Sequence, residues 1–499
     1  METFTTGPRG HGAQPSPAQH RHRARPDPRP AQGSYRGGGA PCPAHAVGYR
    51  GPGPKRPALI NCPPSGDGPY ALTESTRVAS TETRPAPLPT GLPGLFDPPF
   101  VADPYPTLAA LRSTSPVQFD PDTGLWLVSR YADVRSVLLD PGTYLPDNAQ
   151  HSVTPLPVSA LRALARAGFS LPPALANNRG AEHADLRRLV MRFFNAERVA
   201  AAVPMVERTA SEMLAALRPR YAAGDHCDLA AEYARLLPCR VMMRLLGIEG
   251  ISAATLAAWS DASLELFYGR PPAERQLYLA EQVGTFHQWL TAQVSAAPAP
   301  DGLIGGLRRH RTPDGAPLDI ATAVAVCFFV FIAGQSTTGQ LISTTLLRAV
   351  ADPQVWARVE AEDGFAEAWV EEILRREPPV TTWRRVTAHE TELSGVHLPA
   401  GAQLLLMLMG TGSDPDVFDD PGRLCPHREN IRHHLAFGAG RHRCLGASLA
   451  RTEAAVALRA AARALPDATL AEPGAQPPML GLLSFRAPLQ VVVCRHTGR

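Results

Sequence analysis

The stretch His433–Arg451, "HHLAFGAGRHRCLGASLAR", constrains this chain more than any other. It sets three glycines, three histidines and three arginines around a single cysteine, Cys444. Glycine lets a backbone come close to another object, and a cysteine in a basic setting tends toward the thiolate. The stretch reads as a loop shaped around a bound object that a sulfur anion touches.

A length of 499 residues leaves room for a large core and, on length alone, about two to four domains. The formal charge of +3 is unevenly spread. Residues 1–84 hold eleven basic and five acidic side chains, a net +6, so the remainder carries −3. All eight cysteines lack a CxxC partner or a regular framework, which fits a reducing compartment and a cytoplasmic location. The amino terminus shows no apolar segment of signal-peptide type. The most apolar run, "IATAVAVCFFVFIAG" (Ile320 to Gly334), is too short to span a bilayer and reads as a buried helix.

Residues 1–90 are rich in Pro, Gly, Arg and His, a composition that cannot bury enough apolar surface to order itself. They read as a disordered tail or as the product of a start codon placed too far upstream. The tail lacks interleaved aromatics, so no nucleic-acid partner is expected. From residue 91 to 499 the texture is that of one folded domain. "LWLVSRYADVRSVLLDP" joins a strand to a helix, and Ala/Leu/Arg-rich helical patterns run to Leu465. "TELSGVHLPAGAQLLLML" breaks them and reads as a hairpin. The fold class is mainly α with minor β.

Phe437–Gly446, "FGAGRHRCLG", fits the pattern F-G-x-G-x-H-x-C-x-G at every fixed position. In this the chain resembles the cytochrome P-450 family, which implies a large helical domain plus a small β-rich region around a buried haem b, iron protoporphyrin IX. The resemblance gives Cys444 as axial ligand of the iron, whose thiolate favours O–O cleavage. It further implies haem contacts from Phe437, Gly438 and Gly446, with His442 pairing a propionate. Without the resemblance, Cys444 reads equally as a structural cysteine or as a zinc ligand with His433 and His434.

Three further segments agree in order. "EEILR" places Glu372 and Arg375 on one helix face, where they can pair. The family adds an arginine from a P-x-R segment, and "DDPGRL" supplies Arg423; the trio resembles a structural brace. "AEHADLRR" holds His183 and Arg187 in H-x-x-x-R spacing, implying contacts to the other propionate. On its own that spacing is equally a solvated basic face. Arg385, with Arg384 as its rival, stands where the family places another propionate ligand.

"FIAGQSTTG" resembles the helix over the oxygen-binding face. Gly334 and Thr337 match A-G-x-[D/E]-T, but Ser336 replaces the acid. A hydroxyl relays protons but is a poor source of them. The resemblance therefore implies catalytic roles for Thr337, Gly334 and Ser336, with Gln335 or the substrate as other proton routes. The usual Asn-Arg before Asp-Pro is also replaced, by Gly412-Ser413.

The function implied is O2-dependent monooxygenation of a small organic substrate in bacterial secondary metabolism. Oxidative coupling of aromatic natural products such as cyclic dipeptides is the alternative, and a non-catalytic haem accessory protein the remote one. Electrons would come from NAD(P)H through a separate ferredoxin reductase and ferredoxin. Arg432, Arg441, Arg443 and Arg451 would form a basic docking patch. No membrane partner is implied. Substrate contacts are expected in residues 144–178, "LELFYGRPP", 326–333, "GTFHQWL" and 483–485.

Overall fold

A computed structural model describes residues 92–296 and 302–496; the proposed tail, residues 1–90, lies outside them. The architecture is organised by one helix, Ile320–Val350, 31 residues long. Asp319 caps it by accepting from Thr322 N at 2.8 Å. By length and composition this helix could cross a membrane, yet its apolar surface is taken up by neighbouring helices. The apolar run read from the sequence is only its first half. In the second half two buried hydroxyls are satisfied locally, whereas Thr345 Oγ1 has no hydrogen-bond partner among the described residues. Ser343 Oγ donates to Gly339 O at 2.9 Å and Thr344 Oγ1 to Gln340 O at 3.1 Å.

Helices Leu237–Leu246, Ala253–Tyr268 and Ala273–Ala296 pack against the central helix, as do Phe365–Arg376 and Ala447–Ala464. Two apolar cores result, one around Phe286, Phe328 and Phe331, the other around Leu341, Trp369 and Leu458. A 27-residue helix, Ala196–Ala222, closes the second core against Ala447–Ala464.

The largest part of the minor β component is a five-stranded sheet ordered Val117–Asp120, Leu125–Val128, Gln403–Leu406, Trp383–Thr387, Tyr144–Leu145, beside a three-stranded sheet ordered Cys227–Asp228, Val492–Arg495, Ala468–Leu470. The pairing of Leu125–Val128 with Gln403–Leu406 is parallel and the others are antiparallel. The hairpin read over residues 391–408 is shorter. Thr391–Leu393 pairs with Val396–Leu398 through Ser394 (φ 49°) and Gly395 (φ 76°), a two-residue turn with both φ positive. Gly401 (φ 79°) then redirects the chain, so Gln403–Leu406 joins the large sheet beside Trp383–Thr387.

One buried group opposes the fold. Glu453, on the helix after the cysteine loop, is fully buried, and both carboxylate oxygens lack a hydrogen-bond partner among the described residues. Burial pushes its pKa well above the usual carboxylate value. The unfolded chain therefore releases a proton that the folded chain keeps, and the contribution of Glu453 to stability falls as pH rises above about 4.5. Glu453→Leu should raise stability at neutral pH by about 1–3 kcal/mol. Thermal unfolding followed from about pH 4 to pH 8 should show the gain growing with pH; a gain independent of pH would contradict this account.

Candidate active site

The cysteine loop is held by its own backbone. Cys444 N donates to Phe437 O at 2.9 Å, and Gly438 N to Leu435 O at 2.8 Å. Gly438 (φ 65°) and Gly440 (φ 67°) occupy the left-handed region. A Cβ on Gly440 would lie 2.7 Å from Leu138 O, so the loop is pressed onto helix Tyr131–Leu139. Gly446 begins helix Ala447–Ala464.

Behind the loop, the Arg451 guanidinium covers the Phe437 ring at 4.5 Å and grips Glu371 with two bonds of 2.6 and 2.8 Å. His434 Nε2 meets the same carboxylate at 3.0 Å. Burial alone would raise the Glu371 pKa, but Arg451 and His434 bring it down to about 2. This corrects two sequence readings. Arg451 holds the loop in place instead of joining a free basic patch, and His434 is bound to Glu371. No cluster of three or more His, Cys, Asp or Glu suited to a metal exists among the described residues, which removes the zinc alternative.

Cys444 is accessible only in the sense that it lines an internal cavity of about 1030 Å³. The surrounding protein desolvates it and pushes the thiol above its ordinary value, against the pull of Gly446 N–H, Arg187, Arg443 and Arg451. The basic setting alone therefore does not make a thiolate here. A bound metal cation does deprotonate a coordinating thiol.

Ala333, Gly334 and Thr337 line the same cavity from the central helix. Thr337 Oγ1 donates to Ala333 O at 2.6 Å, which leaves its lone pairs to the cavity. Ser336, expected beside the reaction, is not on the cavity wall. It is buried on another face, donating to Gln335 Oε1 at 3.0 Å, while Gln335 Nε2 donates to Arg235 O at 3.4 Å. One residue along a helix is a turn of about 100°, enough to separate Thr337 from Ser336.

Arg187, Arg385 and His442 reach the cavity. His442 Nδ1 pairs with Leu175 O at 3.2 Å, and its ring lies 4.5 Å from that of His183. His183 stands behind it, not on the wall, and accepts at Nδ1 from Arg441 Nε at 3.1 Å. Burial first, and then neighbouring positive charge, lowers His183 to about 4 and His442 to about 3. The Nε2 atoms of both imidazoles are buried without a partner among the described residues. Strand alternation separates the two arginine candidates: Trp383 and Arg385 share the face toward the cavity, and Arg384 the other. Arg385 is buried with its pKa lowered to about 10, and donates to Arg384 O at 2.8 Å. Arg384 donates to His151 O at 2.6 Å and anchors the loop carrying Asp147, Gln150 and His151, which line the cavity.

The brace forms as expected in two members and differs in the third. Glu372 and Arg375 are bonded at 2.6 and 2.8 Å with no side-chain exposure. Arg375 also donates to Gly412 O, to Pro421 O at 3.0 Å and to Arg423 O at 3.2 Å. The further guanidinium near Glu372 is that of Arg428, at 3.7 Å. Arg423 enters through its carbonyl, which Arg428 also binds, at 3.1 Å. The segment "DDPGRLCPHREN" holds P-x-R twice, and the second copy ends in Arg428. Gly412 is tightly enclosed: a Cβ there would overlap Arg375 O. Ser413 Oγ accepts from Arg376 at 3.0 Å.

A flat macrocycle with one axial sulfur ligand and two carboxylates fits these residues. The cavity wall carries the thiol together with Arg187, Arg385 and His442, and Nε2 of His442 and of His183 behind it are buried without a partner among the described residues. A mainly helical fold with a glycine-framed cysteine at the wall of a large, mostly apolar cavity defines a haem-thiolate class of oxidoreductase. The comparisons agree. Residues 303–462 match the family model for cytochrome P-450. The chain is 32% identical over 378 residues to the P-450 monooxygenase PikC of Streptomyces venezuelae, covering 74% of this chain and 86% of that one. It is 31% identical over 377 residues to the vitamin D(3) 25-hydroxylase of Pseudonocardia autotrophica, covering 73% and 87%. The solved structure of the P-450 CREJ with (4-ethylphenyl) dihydrogen phosphate superposes with a TM-score of 0.74 at 26% identity, covering 79% and 98%. The chain belongs to the cytochrome P-450 family. It is a haem b monooxygenase dependent on external electron donors.

The brace gives a direct comparison of the two arginines. Arg428→Ala should lower stability by about 2–4 kcal/mol and reduce haem content, because it removes side-chain bonds beside a buried carboxylate. Arg423→Ala keeps the carbonyl that Arg375 and Arg428 bind and should retain more haem than Arg428→Ala. Equal losses in melting temperature and haem content would return the third position to Arg423.

Proposed function

We propose that this chain hydroxylates a small organic molecule of bacterial secondary metabolism, with Cys444 as the residue that would ligate haem and Thr337 as the hydroxyl that handles protons in the same cavity. The observation carrying this is that Cys444 and Thr337 line one cavity of about 1030 Å³. Haem, when bound, supplies the redox centre at which dioxygen is activated for insertion into a C–H bond. Arg187, Arg385 and His442 would hold the haem carboxylates, with His183 supporting His442 from behind. Gly438 and Gly446 would let the loop backbone approach the haem, and Phe437 lies beside them under Arg451. Glu372, Arg375 and Arg428 brace the segment leading into that loop.

Thr337 Oγ1 accepts a hydrogen bond from water in the cavity and passes a proton by rotating away from Ala333 O. Ser336 has a structural part, joining the central helix to the Arg235 segment through Gln335. Because Ser336 faces away from the cavity, its substitution for an acid lends no support to the coupling alternative. The relatives named 6-deoxyerythronolide B hydroxylase and erythromycin C-12 hydroxylase, both of Saccharopolyspora erythraea, support hydroxylation in secondary metabolism. Electrons reach the cysteine side from a ferredoxin and its reductase in the cytoplasm. The exposed Arg432 forms the basic part of that docking face, while Arg443 lines the cavity beside Cys444.

Cys444→Ala should abolish the thiolate-type absorption of the reduced, carbon-monoxide-bound protein; retention of that absorption would remove Cys444 from the role. Thr337→Ala should cut product formed per NAD(P)H by about tenfold or more, whereas Ser336→Ala stays within about threefold of wild type. Isotope-labelled dioxygen should place one labelled atom in the product. The reverse order of the two variants would restore Ser336 as the proton residue.

A further inference from the structure

We infer that the far end of the cavity is a subsite for an aromatic ring on a neutral, elongated substrate, formed by Phe169, Phe267 and Phe328. Phe169 stacks on Phe267 with centroids 6.2 Å apart and planes at 27°. It meets Phe328 edge-on at 5.9 Å and 74°. All three line the cavity, and Phe169 and Phe267 keep part of their surface uncovered. Three rings in stacked and edge-on contact offer both faces and edges to a further ring, the arrangement that aromatic pairs prefer.

The nest is fixed from behind. His287 packs against Phe169 at 5.2 Å, with its Nε2 3.1 Å from Ser170 O, and Phe286 backs Phe328 at 5.0 Å. Val153 N donates to Phe267 O at 2.9 Å. Rings held this way are ordered before a ligand arrives, so little ordering remains to be done on binding. The contacts of the three rings are to one another, to His287 and to Phe286. Of the charged groups on the cavity wall, Arg187 and Arg385 are assigned to the haem carboxylates, and Asp147 and Arg179 pair with each other at 3.5 Å. Glu182 and Arg443 lie beside the cysteine loop and its facing helix. The occupant of the nest is therefore an uncharged ring.

The central helix supplies a length. Phe328 precedes Thr337 by nine positions, which at the helical rise is on the order of 13 Å. The ring-bearing end of the substrate thus sits about that far from the end undergoing reaction. This inference rests on the reading that Cys444 holds haem iron in the cavity.

The test is an optical titration of the haem-loaded enzyme with two matched series, 1-(ω-phenylalkyl)imidazoles and 1-(ω-cyclohexylalkyl)imidazoles. The imidazole nitrogen binds the iron and shifts its absorption, while the tether length sets where the ring lies. The phenyl series should bind roughly three- to tenfold more tightly than the cyclohexyl series, with the maximum at tethers of about 13 Å. Phe169→Leu/Phe267→Leu should erase that preference and leave unsubstituted imidazole binding unchanged. Equal affinities at every tether, with imidazole still shifting the absorption, would overturn the subsite alone. Absence of any shift with imidazole would overturn both the subsite and the haem reading. If the double variant holds no haem, the phenyl-to-cyclohexyl comparison in the wild type decides the matter.

Discussion

Glu372 and Arg375 are two full charges with no solvent contact, and much of the cysteine side of the molecule is organised by what they require. A guanidinium has five donors, and an unpaired one in the interior is costly. Glu372 takes two bonds, and the carbonyls of Gly412, Pro421 and Arg423 take others. Those carbonyls lie on the irregular segment leading toward the cysteine loop. A segment with almost no regular structure is thereby fixed by hydrogen bonds to a helix. Glu371, the preceding residue, does the same for the loop itself through Arg451 and His434. Adjacent residues on one helix thus hold both the approach and the loop.

The opposite wall depends on the central helix, and its chemistry follows from helical geometry. Thr337 reaches the cavity because it falls on the same face as Ala333, one turn earlier. Ser336 falls on the face that packs against the Arg235 segment. Further along, two buried hydroxyl groups are bonded to carbonyls four residues back in the polar half of the helix. The helix thus serves as core, cavity wall and polar contact at once.

The family, the mainly helical class and the haem were legible because the ten-residue cysteine loop carries short-range requirements in consecutive residues. What was not legible turns on direction or distance. Spacing along the chain puts Ser336 next to Thr337, but says nothing about which face meets the cavity. Arg384 and Arg385 are equivalent in composition; alternation along their strand separates them once Trp383 is taken as facing inward. The sequence reading takes Arg423 from the P-x-R of "DDPGRL" without weighing Arg428 in the second such tripeptide, and only folding shows which guanidinium approaches Glu372. Residues 1–90 lie outside the described structure and keep their reading from composition alone.

Gly412 and Ser413 replace the Asn-Arg pair usual in the family, and the structure gives this departure a steric consequence. Without a side chain at Gly412, the backbone closes onto Arg375 O. Ser413 meanwhile serves as acceptor for Arg376. Any larger residue at 412 would have to push apart the brace that now depends on that closeness. An asparagine at this position cannot be accommodated by itself, because the surrounding backbone has to move first. Segment exchanges between this enzyme and its relatives would therefore have to carry the 372–376 helix end and the 412–413 turn together as one heritable unit.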